Sequence, residues 1–316
     1  DLVICLISGG GSALIPLPAE GISLEDIQQV TLRLLRSGAP IGELNAVRKH
    51  LSEIKGGQLA KKLYPAEVMS LIISDVVGDS LETIASGPTS PDRTTYQDAV
   101  KILKKYRLWQ ISPPQIRRVL SEGAAGGIGE TPKPGDPVFQ RVRNMTIGGG
   151  SIACKAAAES LSRAGLNTLV LITHLEGEAR DAGLFLSTVA LDVEASNRPV
   201  KKPAAIIAGG ETTVAVRGNG LGGRNQEVAL SFASKIDGLR KVAFASMDTD
   251  GLDGNSDAAG AVVDGTTISR AREKGLDAWQ FLDRNDSYSF FSKVGGLIFT
   301  GATFTNVNDL AVMVLT

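Results

Sequence analysis

The sequence predicts an α/β protein built from two domains. The apolar residues alternate along the chain between strand-like runs and a helical period, which is the α/β pattern. Several of the strand-like runs end in glycine-rich loops, the short exits that strand-to-helix units need. The length of 316 residues exceeds the roughly 100–200 residues of one ordinary domain.

The elements follow in order. Residues 2–7 read as a buried strand, and because a domain rarely opens in mid-core, a segment upstream of residue 1 is expected. The strand runs into Ser8-Gly9-Gly10-Gly11-Ser12. Ser23, with Asp26 three residues on, marks a capped helix start, Leu24, Ile27, Val30 and Leu34 form its apolar stripe, and Gly38 stops it. A second helix carries Ile41, Leu44, Val47, Leu51 and Ile54 on one face and Asn45, Arg48, Ser52 and Lys55 on a polar stripe, ending at Gly56-Gly57. A strand over 68–73 leads into a loop over 74–79, and helices are predicted over 96–106 and 114–121. The Gly- and Pro-rich stretch 123–137 marks the boundary, which gives domains over 1–125 and 141–316 joined by a linker over 126–140. Beyond it come a strand over 142–147, the loop 148–151 and an alanine-rich helix ending at Gly165. Strands are predicted over 168–172, 204–208 and 242–246, and helices over 178–194, 225–235 and 266–274. Apolar runs over 297–299 and 310–315 close the chain.

Composition removes several classes of function. With 33 basic and 34 acidic side chains the net charge is −1, without the basic excess of a nucleic-acid or anionic-membrane binder. The apolar runs are strand-length, far short of the ~20 residues of a membrane span, and no secretory pattern precedes them, so the expected location is cytoplasmic. Cys5 and Cys154 stand alone and build neither a disulfide framework nor a metal knuckle. With only His50 and His174 there is no HExxH helix, and the GxxxxGK[ST] loop, the kinase HRD/DFG set and the GxSxG elbow are missing as well. His174 reads as a structural or solvated histidine.

What remains is gathered at glycine-rich strand ends. Ser8, Gly9, Gly10, Gly11 and Ser12 would leave backbone N–H groups open to an anion, or simply make a tight strand exit. Gly209-Gly210-Glu211 puts a carboxylate just after a strand, where open α/β sheets bind ligands. In GNGLGGRNQE, Gly222 and Gly223 deliver Arg224 and Asn225 to a helix start, making Arg224 the best candidate for a charge clamp on a transferring phosphoryl group. Asp248, Asp250, Asp253 and Asp257 crowd one strand end with spacing that does not match an EF-hand; a loosely held Mg2+ or solvated turn aspartates both fit. Asp75 and Asp79 are similar candidates, with helix capping expected of one of them. Arg48 and Lys55, seven residues apart on a helix and flanked by Asn45, would point the same way and suit a small carboxylate or phosphate; a solvated face would look similar.

Taken together, SGGGSAL, LNAVRKHLSEIKGGQLA, SDVVGDSLETIASGPT, GGETTV, GLGGRNQE, DTDGLDGNSDAAGA and the closing TNVNDL occur in an order that resembles the type II glycerate kinases, the glycerate 2-kinases with a C-terminal MOFRL domain, over nearly the whole chain. The resemblance implies a Rossmann-like three-layer N-terminal α/β domain, here incomplete, and a C-terminal α/β domain with the MOFRL region at about 203–312, the active site lying in the cleft between them. It implies ATP- and Mg2+-dependent phosphorylation of D-glycerate to 2-phosphoglycerate, with Arg224 as the catalytic arginine. The family's early Gly-Lys motif would lie before residue 1. Substrate is assigned to Ser8–Ser12, Asn45, Arg48 and Lys55; nucleotide to Gly209, Gly210, Glu211, Gly222, Gly223, Asn225, Thr305 and Asn306; metal to Asp248, Asp250, Asp253 and Asp257; and the general base to Asp79. In the closing loop Phe304 replaces a family glycine, which is expected to forbid a positive φ there or to block close approach to a ligand. A kinase of hydroxypyruvate or tartronate, or a non-catalytic binder of phosphorylated metabolites on the same scaffold, are the alternatives.

Overall fold

A computed structural model describes all 316 residues, which separate into two compact units, Asp1–Ile147 and Gly148–Thr316. The division falls later than the glycine-rich stretch. Residues 126–140, expected as a linker, belong to the first unit, where the Asp92 amide donates to Pro132 O and Thr131 Oγ1 donates to Asp92 Oδ2 at 3.0 Å.

The first unit holds β1 (Leu2–Ile7), α1 (Gly11–Leu14), α2 (Leu24–Arg36), α3 (Ile41–His50), α4 (Gln58–Leu63), β2 (Glu67–Ile73), α5 (Tyr96–Lys105), α6 (Pro114–Ala124) and β3 (Val142–Gly148). Its sheet has the order β1-β2-β3, with β1 parallel to β2 from Leu2↔Glu67 to Ile7↔Ile72. The loops after Ile7 and Ile73 therefore leave the same sheet edge. The capping box on α2 forms as read: Ser23 Oγ accepts from the Asp26 amide and Asp26 Oδ2 accepts from the Ser23 amide. The core of this unit is helical, with Val30, Leu34, Leu44, Val47, Leu103, Ile116 and Leu120 meeting between α2, α3, α5 and α6. Each such side chain contributes on the order of 1.5–3 kcal/mol of burial. In this chain one face of the opening strand is open, Leu2, Ile4 and Leu6 being 59%, 59% and 79% exposed, while Val3, Cys5 and Ile7 on the other face are half-buried. The second helix is shorter than expected. α3 stops at His50, and residues 51–57 form turns closed by Leu51 N to Arg48 O and Gln58 N to Lys55 O.

The second unit holds α7 (Gly150–Arg163), β4 (Asn167–Leu175), α8 (Ala179–Ser196), β5 (Ala204–Gly210), α9 (Arg224–Ala233), β6 (Val242–Asp248), β7 (Gly260–Asp264), α10 (Thr267–Glu273), α11 (Ala278–Asp283), α12 (Ser287–Val294), β8 (Leu297–Ile298) and β9 (Asp309–Leu315). The sheet order is β4-β5-β9-β6-β7-β8. β4 and β5 are parallel, and β9 runs antiparallel to both β5 and β6. Every residue of β5 is buried, as a central strand covered on both faces must be. Ala204, Ile206 and Ala208 enter the main cluster with Leu186 of α8 and Val228 and Phe232 of α9, while Gly209 turns the other way, against Cys154 of α7. Phe232 stacks on Phe244 of β6 with ring centres 4.0 Å apart.

Candidate active site

In the second unit the strand register gathers acid groups at one sheet edge. Asp309, the first residue of β9, is paired with Gly210 at the end of β5 and with Asp248 at the end of β6. Glu211 follows Gly210 directly, and α9 begins there with Arg224. The Arg224 guanidinium donates from Nε to Asp309 Oδ2 (2.7 Å), from Nη2 to Asp309 Oδ1 (2.9 Å) and Asp248 Oδ2 (2.8 Å), and from Nη1 to Glu211 Oε1 (2.9 Å). Asn308 Nδ2 holds the other Glu211 oxygen at 3.0 Å. One cation thus faces three carboxylates. Burial and the charge of Asp309 push the Asp248 carboxyl up to about 7, and Arg224 only partly offsets this. Burial also raises Asp309, opposed by Arg224. The same carboxylates, against the cost of burial, hold Arg224 more firmly protonated than usual.

The sequence assignments fall unevenly on this arrangement. Arg224 joins Glu211 and Asp248, but as the hub of an ion-pair cluster rather than as an open clamp. The four aspartates assigned to a metal do not converge. Both oxygens of Asp253 accept backbone N–H groups of Asn225 (3.0 Å) and Gln226 (2.9 Å), so this fully buried carboxylate caps α9. Burial lifts it to about 6, with those two amides opposing. Asp250 accepts the Leu252 amide in its own turn, and Asp257 accepts the Tyr288 hydroxyl. No group of three or more His, Cys, Asp or Glu side chains is arranged to hold a metal ion.

The glycines assigned to nucleotide approach have a nearer reason. A Cβ at Gly222 would strike Ser287, one at Gly223 the Asp253 carboxylate, one at Gly210 the Leu175 backbone and one at Gly209 the Cys154 sulfur. Asn225 is buried, its amide on Asp309 at 2.8 Å and its oxygen accepting from Ser246 at 2.6 Å. Thr305 and Asn306 are exposed and serve their own turn, Asn306 Oδ1 accepting the Asn308 amide. Phe304 corrects another expectation: it adopts φ 59° and is 97% exposed, so its side chain points to solvent instead of forbidding the left-handed backbone. Asp309 and Asn308 were missed as site residues although they close the NVNDL motif; an acid at the first position of a strand was the available signal.

In the first unit a second cluster forms at the shared edge of β1 and β2. Lys55 Nζ donates to Ser12 O (2.5 Å) and Ser12 Oγ (3.0 Å), and Arg48 Nη2 donates to Ser12 O (3.2 Å). Neither cation has an ion-pair partner, and Arg48 Nε is buried without an acceptor. Lys55 is 5% exposed; burial first, and then the Arg48 charge, bring its ammonium down to about 8. Burial lowers Arg48 as well. Ser12 Oγ lies 2.8 Å from Ser86 Oγ, which donates to Asn45 Oδ1 at 3.1 Å. Ala85 and Ser86 are both left-handed, at φ 50° and 62°, which turns the Ser86 hydroxyl inward. The pairing of Arg48 with Lys55 was anticipated, but not through one helix face: Lys55 arrives from the turn after α3. Asn45 contributes from behind, as a buried partner of Ser86.

The glycine loop itself is less open than expected. The Gly11 amide returns to Ser8 O and the Ala13 and Leu14 amides to Gly10 O, while Asp75 lies where a Gly9 side chain would be. The groups here that could face an anion are the side chains Arg48 and Lys55. Asp79 lies on the loop after β2 at φ 52°.

A cavity of about 250 Å³ opens onto this cluster, lined by Ser12, Arg48, Ser52 and Lys55 and walled by Leu17, Leu24 and Leu35. No helix is long and apolar enough to cross a membrane.

Known proteins give these clusters a context. Residues 1–121 match a family described as a domain of unknown function, DUF4147, and residues 204–309 match the MOFRL family. The chain is 49% identical to a glycerate 2-kinase of Pyrococcus horikoshii, over 100% of this chain and 71% of that protein. It is 47% identical to a D-glycerate 2-kinase of Thermotoga maritima, over 99% of this chain and 72% of that protein. Its fold superposes on the crystal structure of a Thermotoga maritima glycerate kinase with a TM-score of 0.93 at 46% identity, covering 100% of this chain and 73% of the other. By full-chain identity and by fold, the chain belongs to the glycerate 2-kinase family of enzymes.

Proposed function

We propose that this protein transfers the terminal phosphoryl group of ATP, with Mg2+, to the 2-hydroxyl of D-glycerate, giving 2-phosphoglycerate. The observation that carries the reading is the pair Arg48 and Lys55: two cations at a cavity, both on Ser12, with no carboxylate of their own. A buried cation without a counter-ion is costly, and an anionic ligand is what relieves it. A small hydroxy acid brings one carboxylate, and the names of the relatives supply the acid.

Arg224 and its carboxylates suit the nucleotide end. A guanidinium has five N–H groups. Four are taken by Asp309, Asp248 and Glu211, which leaves one Nη1–H for an oxygen of the transferring group. The chain builds no metal cage of its own. Mg2+ bound through nucleotide phosphates needs only one or two carboxylates, and the surplus of acid over base around Arg224 is suitable donor chemistry. Asp248 and Glu211 are the groups that would hold it, and when bound it would neutralise charge on the phosphates.

The test is turnover of D-glycerate by the protein expressed from its complete reading frame, with ATP and Mg2+, the product identified by phosphorus NMR. A 2-phosphoglycerate signal is expected. Hydroxypyruvate and tartronate are run beside it, and preference for either would change the acid but not the chemistry. No phosphorylated product from a folded protein would overturn the reading.

A further inference from the structure

The cluster at Ser12 also carries an assignment of roles within it, which rests on the proposed phosphorylation of glycerate. Its hydrogen bonds have a direction. The Asn45 side-chain oxygen only accepts, so the Ser86 hydroxyl donates to it. Ser86 then has no proton for Ser12, and in the 2.8 Å contact between the two hydroxyls Ser12 is the donor. With its one proton turned to Ser86, Ser12 meets Lys55 only through a lone pair, which accepts an N–H at 3.0 Å. When Lys55 loses its third proton, the nitrogen lone pair is therefore not taken up by the Ser12 hydroxyl. It remains for a donor arriving from the cavity that Lys55, Arg48 and Ser12 line together.

The groups that face Lys55 favour that deprotonation. Arg48 stands beside it on the same carbonyl oxygen, Ser12 O, and no carboxylate pairs with it. Among the other charged groups nearby, Lys49 and His50 are bound to Asp92 and His50 also to Glu130, while Asp75 lies against Gly9 of the same glycine loop. Burial and Arg48 bring the Lys55 ammonium to about 8, so near neutral pH on the order of one molecule in ten holds the free amine. A 2-hydroxy acid carries its carboxylate and its hydroxyl on adjacent carbons, and Arg48 Nη2 and Lys55 Nζ both touch one oxygen atom. The two nitrogens can read the two neighbouring groups of a single small acid.

We propose that Arg48 holds the carboxylate of the substrate and that Lys55 is the general base that takes the proton from its 2-hydroxyl, with Ser86 and Asn45 as positioning residues that keep the Ser12 proton away from Lys55. The hydroxyl oxygen forms its bond to the transferring phosphorus as the bond from that phosphorus to the nucleotide breaks. The proton passes to the neutral amine of Lys55, giving the ammonium, which returns it to water when the product leaves. The base is thus Lys55 and not Asp79. Phosphorylation at the 2-position follows when the carboxylate lies on Arg48 and the adjacent hydroxyl on Lys55.

The experiment compares wild type, Lys55→Arg and Ser86→Ala by the pH dependence of kcat and by D-glycerate KM, with circular dichroism as a check on folding. Wild-type kcat is expected to rise along a limb governed by a group near 8. Lys55→Arg keeps the positive charge but cannot lose it, so KM should stay within about fivefold while kcat falls on the order of 10²–10⁴-fold and the limb disappears. In Ser86→Ala the Ser12 proton is released toward Lys55, and the limb should move. A residue that merely supports the fold would lower kcat and leave the limb in place. Lys55→Arg with kcat within threefold of wild type overturns the proposal. So does a wild-type profile without that limb, which requires no variant to fold. Absence of turnover in wild type is a separate outcome: it rejects the phosphorylation reading, and this assignment falls with it.

Discussion

Asp309 and Asp248 stand directly opposite each other on β9 and β6, and a single guanidinium, that of Arg224, bonds both. Two carboxylates in register on adjacent strands repel, by a few tenths of a kcal/mol to about 1 kcal/mol even at an exposed position. Here they are nearly buried, which strengthens the repulsion. Glu211 adds a third acid to the same cation. The arrangement is not optimised for stability, and its excess negative charge makes it responsive to pH.

Asp248 is expected to make stability fall as pH rises. Its folded-state value, about 7, lies above the ordinary 3.8 of the unfolded chain. Between those values the folded protein binds more protons than the unfolded one, so the unfolding free energy declines with pH. The benefit is fully present below about 4 and is lost by about 7. Urea unfolding at a series of pH values should show this decline in wild type. Asp248→Asn should flatten it, and an unchanged slope in that variant would count against the assignment.

Removal of Arg224 should cost stability as well as turnover. Truncation leaves Asp309, Asp248 and Glu211 facing one another without a cation, a loss of about 2–4 kcal/mol for a site of this partial burial. An activity loss on the order of 10³-fold is expected alongside. Adding Asp309→Asn to Arg224→Ala should restore part of the stability and none of the turnover. If Arg224→Ala unfolds at the wild-type denaturant midpoint, the cluster is not the structural hub described.

Lys55 should show the opposite balance. Its folded value lies below the unfolded 10.5, so the buried ammonium opposes folding at neutral pH and the opposition fades between about 8 and 10.5. Lys55→Met keeps a similar stem and removes the charge. It is expected to raise the unfolding free energy at pH 7 by about 1–3 kcal/mol while abolishing turnover. A destabilised Lys55→Met would mean that the two bonds to Ser12 outweigh the buried charge.

How much of this was legible in the sequence depended on range. The capping box of Ser23 and Asp26 is written within four residues and formed as read. Arg48 and Lys55 were paired for a partly wrong reason: a helix periodicity carried past His50, whereas their meeting is set by Ser12, some forty residues earlier. Asp309 could be suspected from an acid opening a strand, but its role comes from strand register with β5 and β6, far apart in the chain. The glycines of GNGLGGR were recognised as necessary, but what needs the space is this chain's own Asp253 and the 284–288 segment. Sequence shows that a Cβ is missing and not what stands in its place.

Asp253 provides the last test, since it separates the two roles the acid loop was given. As a metal ligand it would tolerate loss in the absence of metal. As a cap it holds the second and third N–H groups of α9, those of Asn225 and Gln226, and thereby aims Arg224 from the helix start. Asp253→Asn keeps one acceptor oxygen but turns an NH2 toward a backbone N–H, and it removes the charge that complements the helix terminus. A destabilisation of about 1–2 kcal/mol is expected, measured by urea unfolding in EDTA with no divalent ion present. Because Asp253 sits near 6 when folded, above the ordinary 3.8, wild-type stability falls as pH rises between those values, so the deficit of Asp253→Asn should be largest below about pH 4 and smaller above about pH 6. An unfolding midpoint unchanged in EDTA would return Asp253 to the metal-ligand reading.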